Sequence, residues 1–241
     1  MSESESLEAI ILRRWDYGEK DQIISFLSRE KGRLQGIAKG AKASLKRFGP
    51  ALDLFTWVKI QVRENKNTSL VFIEQAQALS NFPRLRQDYA SILLASGLLE
   101  LSHHLYKEGV AEEAAFTNLL ESLKRLEEQG AHRRIFWSFL LKNFEILGWG
   151  LHLQTCFKCG KSLNEPFHFF DVEQGGGVCE ECRVSSRKVF SLSLSLLEWM
   201  NNPYQDKSIS PEEEVLLQEL LEKQYAHHLH LLPDWNRFLR I

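Results

Sequence analysis

Apolar and polar positions change their rhythm along this 241-residue chain, from the period of strands to the period of helices. Leu7–Trp15 and Gln22–Ser28 are apolar runs on either side of a polar turn at Gly18. Glu30-Lys31-Gly32 then turns the chain into a third extended segment, Arg33–Lys39. Leu54–Arg63 alternates strictly. Leu54, Thr56, Val58, Ile60 and Val62 fall on one side, with Phe55, Trp57, Lys59, Gln61 and Arg63 on the other, because successive strand side chains point to opposite faces. Glu64-Asn65-Lys66-Asn67 reads as a hairpin turn and Leu70–Ala76 as the fifth strand. Five short strands in so little chain predict a small barrel, of the OB-fold or of the similarly spaced SH3-like kind.

After Pro83 the period lengthens. Tyr89, Ile92, Ser96, Leu99, His103 and Tyr106 form one helical stripe. Phe116, Leu119, Leu120, Leu123 and Leu126 form a second, and Ile135, Phe136, Phe139, Leu140 and Phe144 a third that stops near Gly148. Ser210-Pro211-Glu212-Glu213 has the chemistry of a helix start: a capping serine, proline at the first position and the glutamate of a capping box. Leu216, Leu217, Leu220 and Leu221 follow. Such stripes are core, or one of them is a groove for a partner's peptide; periodicity does not separate the two. The expected architecture is α+β and multidomain. An N-terminal barrel occupies residues 1–80, and a helical domain covers 81–153 and 185–241. A four-cysteine finger is inserted over 154–184.

The finger follows from spacing. Cys156-Phe157-Lys158-Cys159 and Cys179-Glu180-Glu181-Cys182 contain all four cysteines and stand nineteen residues apart. Two CxxC knuckles about 15–20 residues apart suit a four-cysteine zinc site. Each knuckle sets two thiolates about one tetrahedral edge apart; Gly160 favours the tight turn, and Gly175-Gly176-Gly177 lets the chain reverse before the second pair. Disulfides are disfavoured in a reducing cytosol, and a redox CxxC belongs at the start of a helix in a βαβ unit. The expectation is one structural zinc ion held by Cys156, Cys159, Cys179 and Cys182, with no open coordination position. His168, between the knuckles, is expected to be a surface residue. Adjacent pairs such as His103-His104 and His227-His228 point to different sides of a helix and make poor joint ligands.

Composition adds little and charge distribution more. An apolar fraction of 44% with 26% charged residues is that of an ordinary soluble globular protein. No apolar run approaches the roughly 18 residues of a membrane span, and the acidic Met1–Ser6 lacks the features of a signal peptide. No membrane association and a cytoplasmic location are therefore expected. Net charge is −2, yet Arg29 to Arg47 holds seven cations against one acid, a local +6 that leaves −8 on the remainder. A positive field confined to one place attracts a polyanion there, or is simply a solvated charged loop. Strand parity puts Arg33, Gln35, Ile37 and Lys39 on one face, and Phe55, Trp57, Lys59 and Arg63 on another. Should those faces coincide, cations for phosphates and rings for bases would share one surface, as in proteins that hold single strands. The alternative is that Phe55 and Trp57 pack against the helices. Neutralising about six phosphates would give a log–log salt slope near −4 on single strands.

Ala38-Lys39-Gly40-Ala41-Lys42 followed by Lys46-Arg47-Phe48-Gly49-Pro50-Ala51-Leu52 resembles the barrel loop of the RecO family of bacterial DNA repair proteins. The order of parts is similar as well: barrel, helices, Gly148-Trp149 before the first knuckle, Phe170-Asp171 and a glycine run before the second, then more helix. The resemblance covers nearly the whole chain, with departures at Leu151, where a proline is usual, and at Asp234–Phe238. It implies an OB-fold, a helical body and a zinc finger. It further implies binding of single- and double-stranded DNA, strand annealing, and cooperation with RecR and single-strand-binding protein in loading RecA recombinase. Its DNA contacts map onto Lys31, Arg33, Lys39, Lys42, Lys46 and Arg47.

Enzyme chemistry finds no support in motifs: there is no Walker loop, dinucleotide fingerprint, HExxH or GxSxG. A non-enzymatic DNA-binding mediator is the expectation. A protein–protein adaptor with an incidental basic loop is the other class left open.

Overall fold

A computed structural model describes residues 4–44, 46–65, 68–163, 167–171, 173, 175–186, 189–205, 209–230 and 234–241. Leu45 and positions 66 and 67 of the expected hairpin turn lie outside the described residues. Five strands close into a barrel in the order β1-β2-β3-β5-β4. They are β1 (Ser4–Tyr17), β2 (Asp21–Ser28), β3 (Gly32–Ala38), β4 (Trp57–Arg63) and β5 (Val71–Ser80). Neighbours run antiparallel except β3 and β5, which pair in parallel through Gly36–Val71 and Ile37–Phe72. This is an OB-like barrel.

Alternate residues fill its interior: Leu7, Ala9 and Ile11, then Ile24 and Phe26, Val58, Ile60 and Val62, with Ile73 and Ala76. Between β3 and β4 a short 3-10 turn, Gly49–Leu52, adds Phe48, Ala51 and Leu52 to the same core. Gly36 sits at the parallel seam because nothing larger fits. A Cβ there would lie 2.7 Å from Ile73 Cγ1 and 3.0 Å from Val71 Cγ2.

Three strands differ most from the expected bounds, and of these β5 runs on to Ser80, four residues past the expected Ala76. β1 runs on to Tyr17, with a register shift between Ile11 and Arg13 that resets which side chains face outward. β4 begins only at Trp57. Phe55, expected within it, has a left-handed φ of 65° and is buried, whereas Leu54, expected to face inward, is exposed. The alternation at 54–56 belongs to a turn that ends the capping segment, so strand parity does not apply there.

Three helices follow: α1 (Tyr89–Leu105), capped by Asp88, whose carboxylate accepts from Ser91 N at 2.9 Å, α2 (Glu113–Gln129) and α3 (Arg133–Ile146). Next come β6 (Phe167–Asp171), β7 (Gly176–Val178), α4 (Glu180–Arg183), β8 (Val189–Ser193), α5 (Leu194–Asn201) and α6 (Pro211–Leu229). α6 starts with the capping box that its sequence predicts, while α5 has no counterpart in the expected elements. Among the described residues no helix is long and apolar enough to cross a membrane.

The chain divides into two compact units, Met1–Phe136 with Asn236–Ile241, and Trp137–Trp235. The boundary falls inside α3, so α1 and α2 lie in the same compact unit as the barrel. The reason lies on the outer side of β2, where Ser25 and Leu27 are fully buried. Ser25 Oγ lies 3.3 Å from His103 Nδ1 on α1. At the β2–β3 turn, a Cβ on Gly32 would meet the carbonyl oxygen of Val110 at 1.8 Å, so only glycine admits that close approach. In the second unit, Trp137, Phe139, Phe144 and Trp199 are buried among the core residues, and Trp235 packs edge-on to both Trp137 and Tyr225.

His103 couples the barrel–α1 contact to pH. Burial, reinforced by Arg13, Arg33 and His104, lowers its pKa to about 4. An unfolded histidine takes up its proton near pH 6.5, so between these values the unfolded state holds more protons and stability falls as pH is lowered. Denaturant melts from pH 7 to pH 4 are expected to show this loss, and His103→Gln to flatten its pH dependence.

Candidate nucleic-acid interface and metal centre

The run of cations from Arg29 to Arg47 does not form one patch. β3 carries the chain from one end of the run to the other, about 20 Å over six residue steps. At the near end every cation is engaged. Arg29 bridges Glu8 (3.1 Å) and Glu113 (2.8 Å), and Lys31 pairs with Glu5. Arg33, its side chain only 14% exposed, donates through Nε to the Tyr106 carbonyl at 2.9 Å and lies 3.8 Å from Glu108. Lys31 and Arg33 thus lie on the side that holds the 105–113 segment, each matched by a carboxylate, and not with the loop cations.

Beyond β3 the picture changes. Lys39, Lys42, Lys46 and Arg47 occur with no acid among residues 39–52, and all four are exposed. The loop is held by its backbone. Asp21 accepts from Gly40 N at 2.7 Å, Lys42 N donates to Lys20 O, and Ala76 N donates to Arg47 O at 3.0 Å. Arg47 is aimed by donations to Lys39 O at 2.6 Å and Ser44 Oγ at 3.1 Å. Lys42 reaches Asp16 at 3.0 Å, and hydrogen bonds from Lys42 and Gln22 hold that carboxyl below its ordinary range. Among the described residues Lys39 and Lys46 enter no ion pair.

The aromatic residues expected beside them are elsewhere. Phe55 is buried, with the Arg86 guanidinium 5.6 Å from its ring centre. Trp57 donates through Nε1 to Glu8 at 2.8 Å, and Lys124 of α2 lies 5.2 Å from its ring centre. Trp57 thus lies against α2, as in the alternative of packing against the helices, and Phe55 is buried beside Arg86. Lys59 is exposed on β4, between Glu8 and Gln77 of the adjoining strands.

Sequence reading missed a different set. Directly paired residues of a sheet share a face. The register therefore runs Trp15–Ile23–Ile37–Phe72 across β1, β2, β3 and β5, one row on the barrel's outer side. Tyr17, paired with Asp21, occupies the next outward position. Trp15 and Tyr17 are 39% and 55% exposed. Phe72, half-buried, has Lys39 Nζ 5.2 Å and the Arg63 guanidinium 4.9 Å from its ring centre. Arg63 also binds Glu74 at 2.7 Å, and hydrogen bonds from Ser4 and Arg63 keep that carboxyl below its usual range. Arg13, Trp15 and Tyr17, two residues apart, were a legible signal once β1 was known to continue past Trp15.

The cysteines converge. Their four sulfurs lie within 4.8 Å of one another, the one cluster among the described residues suited to a metal ion. None is in a disulfide. The first knuckle turns on Gly160, whose N donates to Cys156 O at 2.7 Å, and the second opens α4, where Cys182 N and Arg183 N donate to Cys179 O. Lys158 ties the two, donating to Ser185 and Ser186 at 2.8 Å each. Burial opposes ionisation of Cys156, but the backbone N–H groups of Cys179, Cys159 and Lys158 prevail and hold its pKa at about 6. The Cys179 and Cys159 thiols push Cys182 up to about 12. A thiolate-bound ion at about 2.3 Å from each sulfur needs tetrahedral edges of about 3.8 Å, and Cys159 and Cys179 stand 3.7 Å apart. The donor set fits a soft or borderline metal ion. The side chain of His168 lies outside the described residues.

Comparison with known proteins bears on both sites. The family model described as recombination protein O N terminal matches residues 1–82, and that described as recombination protein O C terminal matches 86–237. Proteins named DNA repair protein RecO are similar over most of their length. The one from Desulfatibacillum aliphaticivorans is 31% identical over 96% of this chain and 95% of its own. That of Anaeromyxobacter sp. (strain K) is 29% identical over 79% and 75%, and that of Myxococcus xanthus (strain DK1622) 29% over 92% and 91%.

Refolding with cobalt(II) is expected to give the visible spectrum of a tetrahedral tetrathiolate site. Cys179→Ser should abolish that spectrum and expose the 160–178 segment to protease.

Proposed function

The chain belongs to the recombination protein O family, and from that premise we propose that it is a cytoplasmic, non-catalytic recombination mediator that binds single- and double-stranded DNA and anneals complementary strands. The observation that carries the reading is the loop after β3. It holds four exposed cations with no acid in its own stretch, on a barrel of the type that binds oligonucleotides. Phosphates bind such a surface by displacing condensed counterions, without base readout. That is what annealing requires: two strands concentrated and screened from each other, with no bond made or broken. Lys39, Lys42, Lys46 and Arg47 contact phosphate in this account, whereas Lys31 pairs with Glu5 of β1 and Arg33 ties the barrel to the 105–113 segment. Recombinase loading through RecR, single-strand-binding protein and RecA follows from family membership, and no surface of this chain is assigned to those partners.

Zinc is the metal this reading places among Cys156, Cys159, Cys179 and Cys182. Four thiolates leave it no open position for chemistry, so it folds the finger and does not react.

Four phosphate contacts predict that affinity for single strands falls with salt at a log–log slope of about −3, shallower than six contacts would give. The triple reversal Lys42→Glu, Lys46→Glu, Arg47→Glu should flatten the slope and abolish annealing, read by anisotropy and by renaturation of complementary oligonucleotides. Unchanged binding would sink the reading and leave a protein–protein adaptor. Metal analysis of the purified protein should return one zinc per chain.

A further inference from the structure

The barrel's outer wall has two halves. Around Ser25 and Arg33 it is covered by α1 and the 105–113 segment, and it offers nothing to a ligand. Toward the β1–β2 turn it is open. There the row Trp15–Ile23–Ile37–Phe72 crosses four adjacent strands, a span of about 14 Å at the usual interstrand spacing. Ile37 is the buried floor of this row. Trp15 and Phe72 flank it, and Tyr17 extends it toward the turn. Nearby, Asp21 accepts from Gly40 N, and Glu74 from Ser4 and Arg63, so Arg63 is balanced by its own carboxylate and the cation left over the row is Lys39, 5.2 Å from the Phe72 ring centre.

We propose that Trp15, Tyr17 and Phe72 form a base-stacking row that separates unpaired from paired nucleic acid. Unpaired bases lie on these rings while their phosphates meet Lys39, Lys42, Lys46 and Arg47. Duplex, whose base faces are already stacked, engages the loop cations alone. The idea rests on the nucleic-acid reading above but goes beyond it, because charge by itself cannot distinguish strand state. Two exposed rings in line with a third that has Lys39 over its face suit a polyanion that carries flat aromatic groups, and an unpaired strand is that ligand. Each ring has a π-face for any base, so the row is indifferent to sequence, as a protein that anneals arbitrary strands requires.

Trp15 provides the reporter. Of the six tryptophans it is the one exposed side chain. Stacking of a thymine on it should quench the intrinsic fluorescence of the full chain when oligo-dT is added, and duplex of equal length should not. Trp15→Ala, Tyr17→Ala and Phe72→Ala are each expected to weaken oligo-dT binding by roughly 5- to 150-fold, leaving duplex affinity within about twofold. Trp15→Phe should keep the affinity for oligo-dT and lose the quench. Thermal melts of each variant check folding, and because Trp15 lies on the exposed hairpin, its two variants keep the test sound if Phe72→Ala fails to fold. Equal losses on oligo-dT and duplex, or oligo-dT binding without a change in Trp15 emission, would overturn the stacking row while leaving the cationic loop in place. Wild-type protein that binds neither would overturn the nucleic-acid reading itself.

Discussion

Closure of the barrel hangs on two residue pairs, Gly36–Val71 and Ile37–Phe72, which form the one parallel pairing between its strands among the described residues. Gly36 brings no side chain to the seam, and Val71 and Ile73 fill the space it leaves. The consequences reach both candidate surfaces. Pairing with Ile37 fixes Phe72 on the outer face, in register with Ile23 and Trp15. Because β3 pairs with β5 and not with β4, the chain between β3 and β4 must cross the barrel, and Phe48, Ala51 and Leu52 enter the core on the way. That crossing leaves Lys39, Lys42, Lys46 and Arg47, just before it, exposed.

Cations in this unit do two kinds of work, and their carboxylates tell which. Arg29, Lys31 and Arg33 meet Glu8, Glu113, Glu5 and Glu108, acids drawn from β1, from the segment after α1 and from the start of α2. A guanidinium that is 14% exposed and bonded to a backbone carbonyl is a structural tie, and a phosphate would have to break that tie to reach it. The loop differs: Arg47 donates to a carbonyl and a hydroxyl, Lys39 and Lys46 meet no carboxylate among the described residues, and Lys42 alone pairs with an acid, Asp16 on the exposed hairpin. An excess of six positive charges counted along sequence therefore overstates what a polyanion can use.

How much of this was legible follows the range of the interactions involved. The cysteine site is local: two turns and a hairpin decide it, and spacing alone brought the right four sulfurs together. The Ser210 capping box is more local still. Barrel type was readable because five alternating runs leave few ways to close. What escaped depends on contacts far apart in sequence. Phe55 and Trp57 alternate as a strand should, but Trp57 finds Glu8 on β1 and Lys124 on α2, while Phe55 turns inward before β4 has begun. Carboxylates that claim Lys31 and Arg33 lie 26 to 75 residues away. Trp15 and Tyr17 were hidden by a bulge that shifts parity within β1, and Phe72 by a parallel pairing that no periodicity announces.

The finger shows the opposite limit, where too little chain is present for hydrophobic burial to act alone. Its buried cluster is Cys156, Leu163, Val178 and Cys179, with Phe169, Cys182 and Val189 packed against it. Three of the four sulfurs are thus part of the core they would organise. At about 25 cal/mol per Å² of apolar surface removed from water, two aliphatic side chains cannot offset the ordering of a stretch this long. A bound ion changes that balance, since its binding free energy is folding free energy for a site that does not exist in the unfolded chain. Core formation and ligation would then be one event, and an ion held by the four sulfurs would belong to the fold in the same sense as the apolar interior of the barrel.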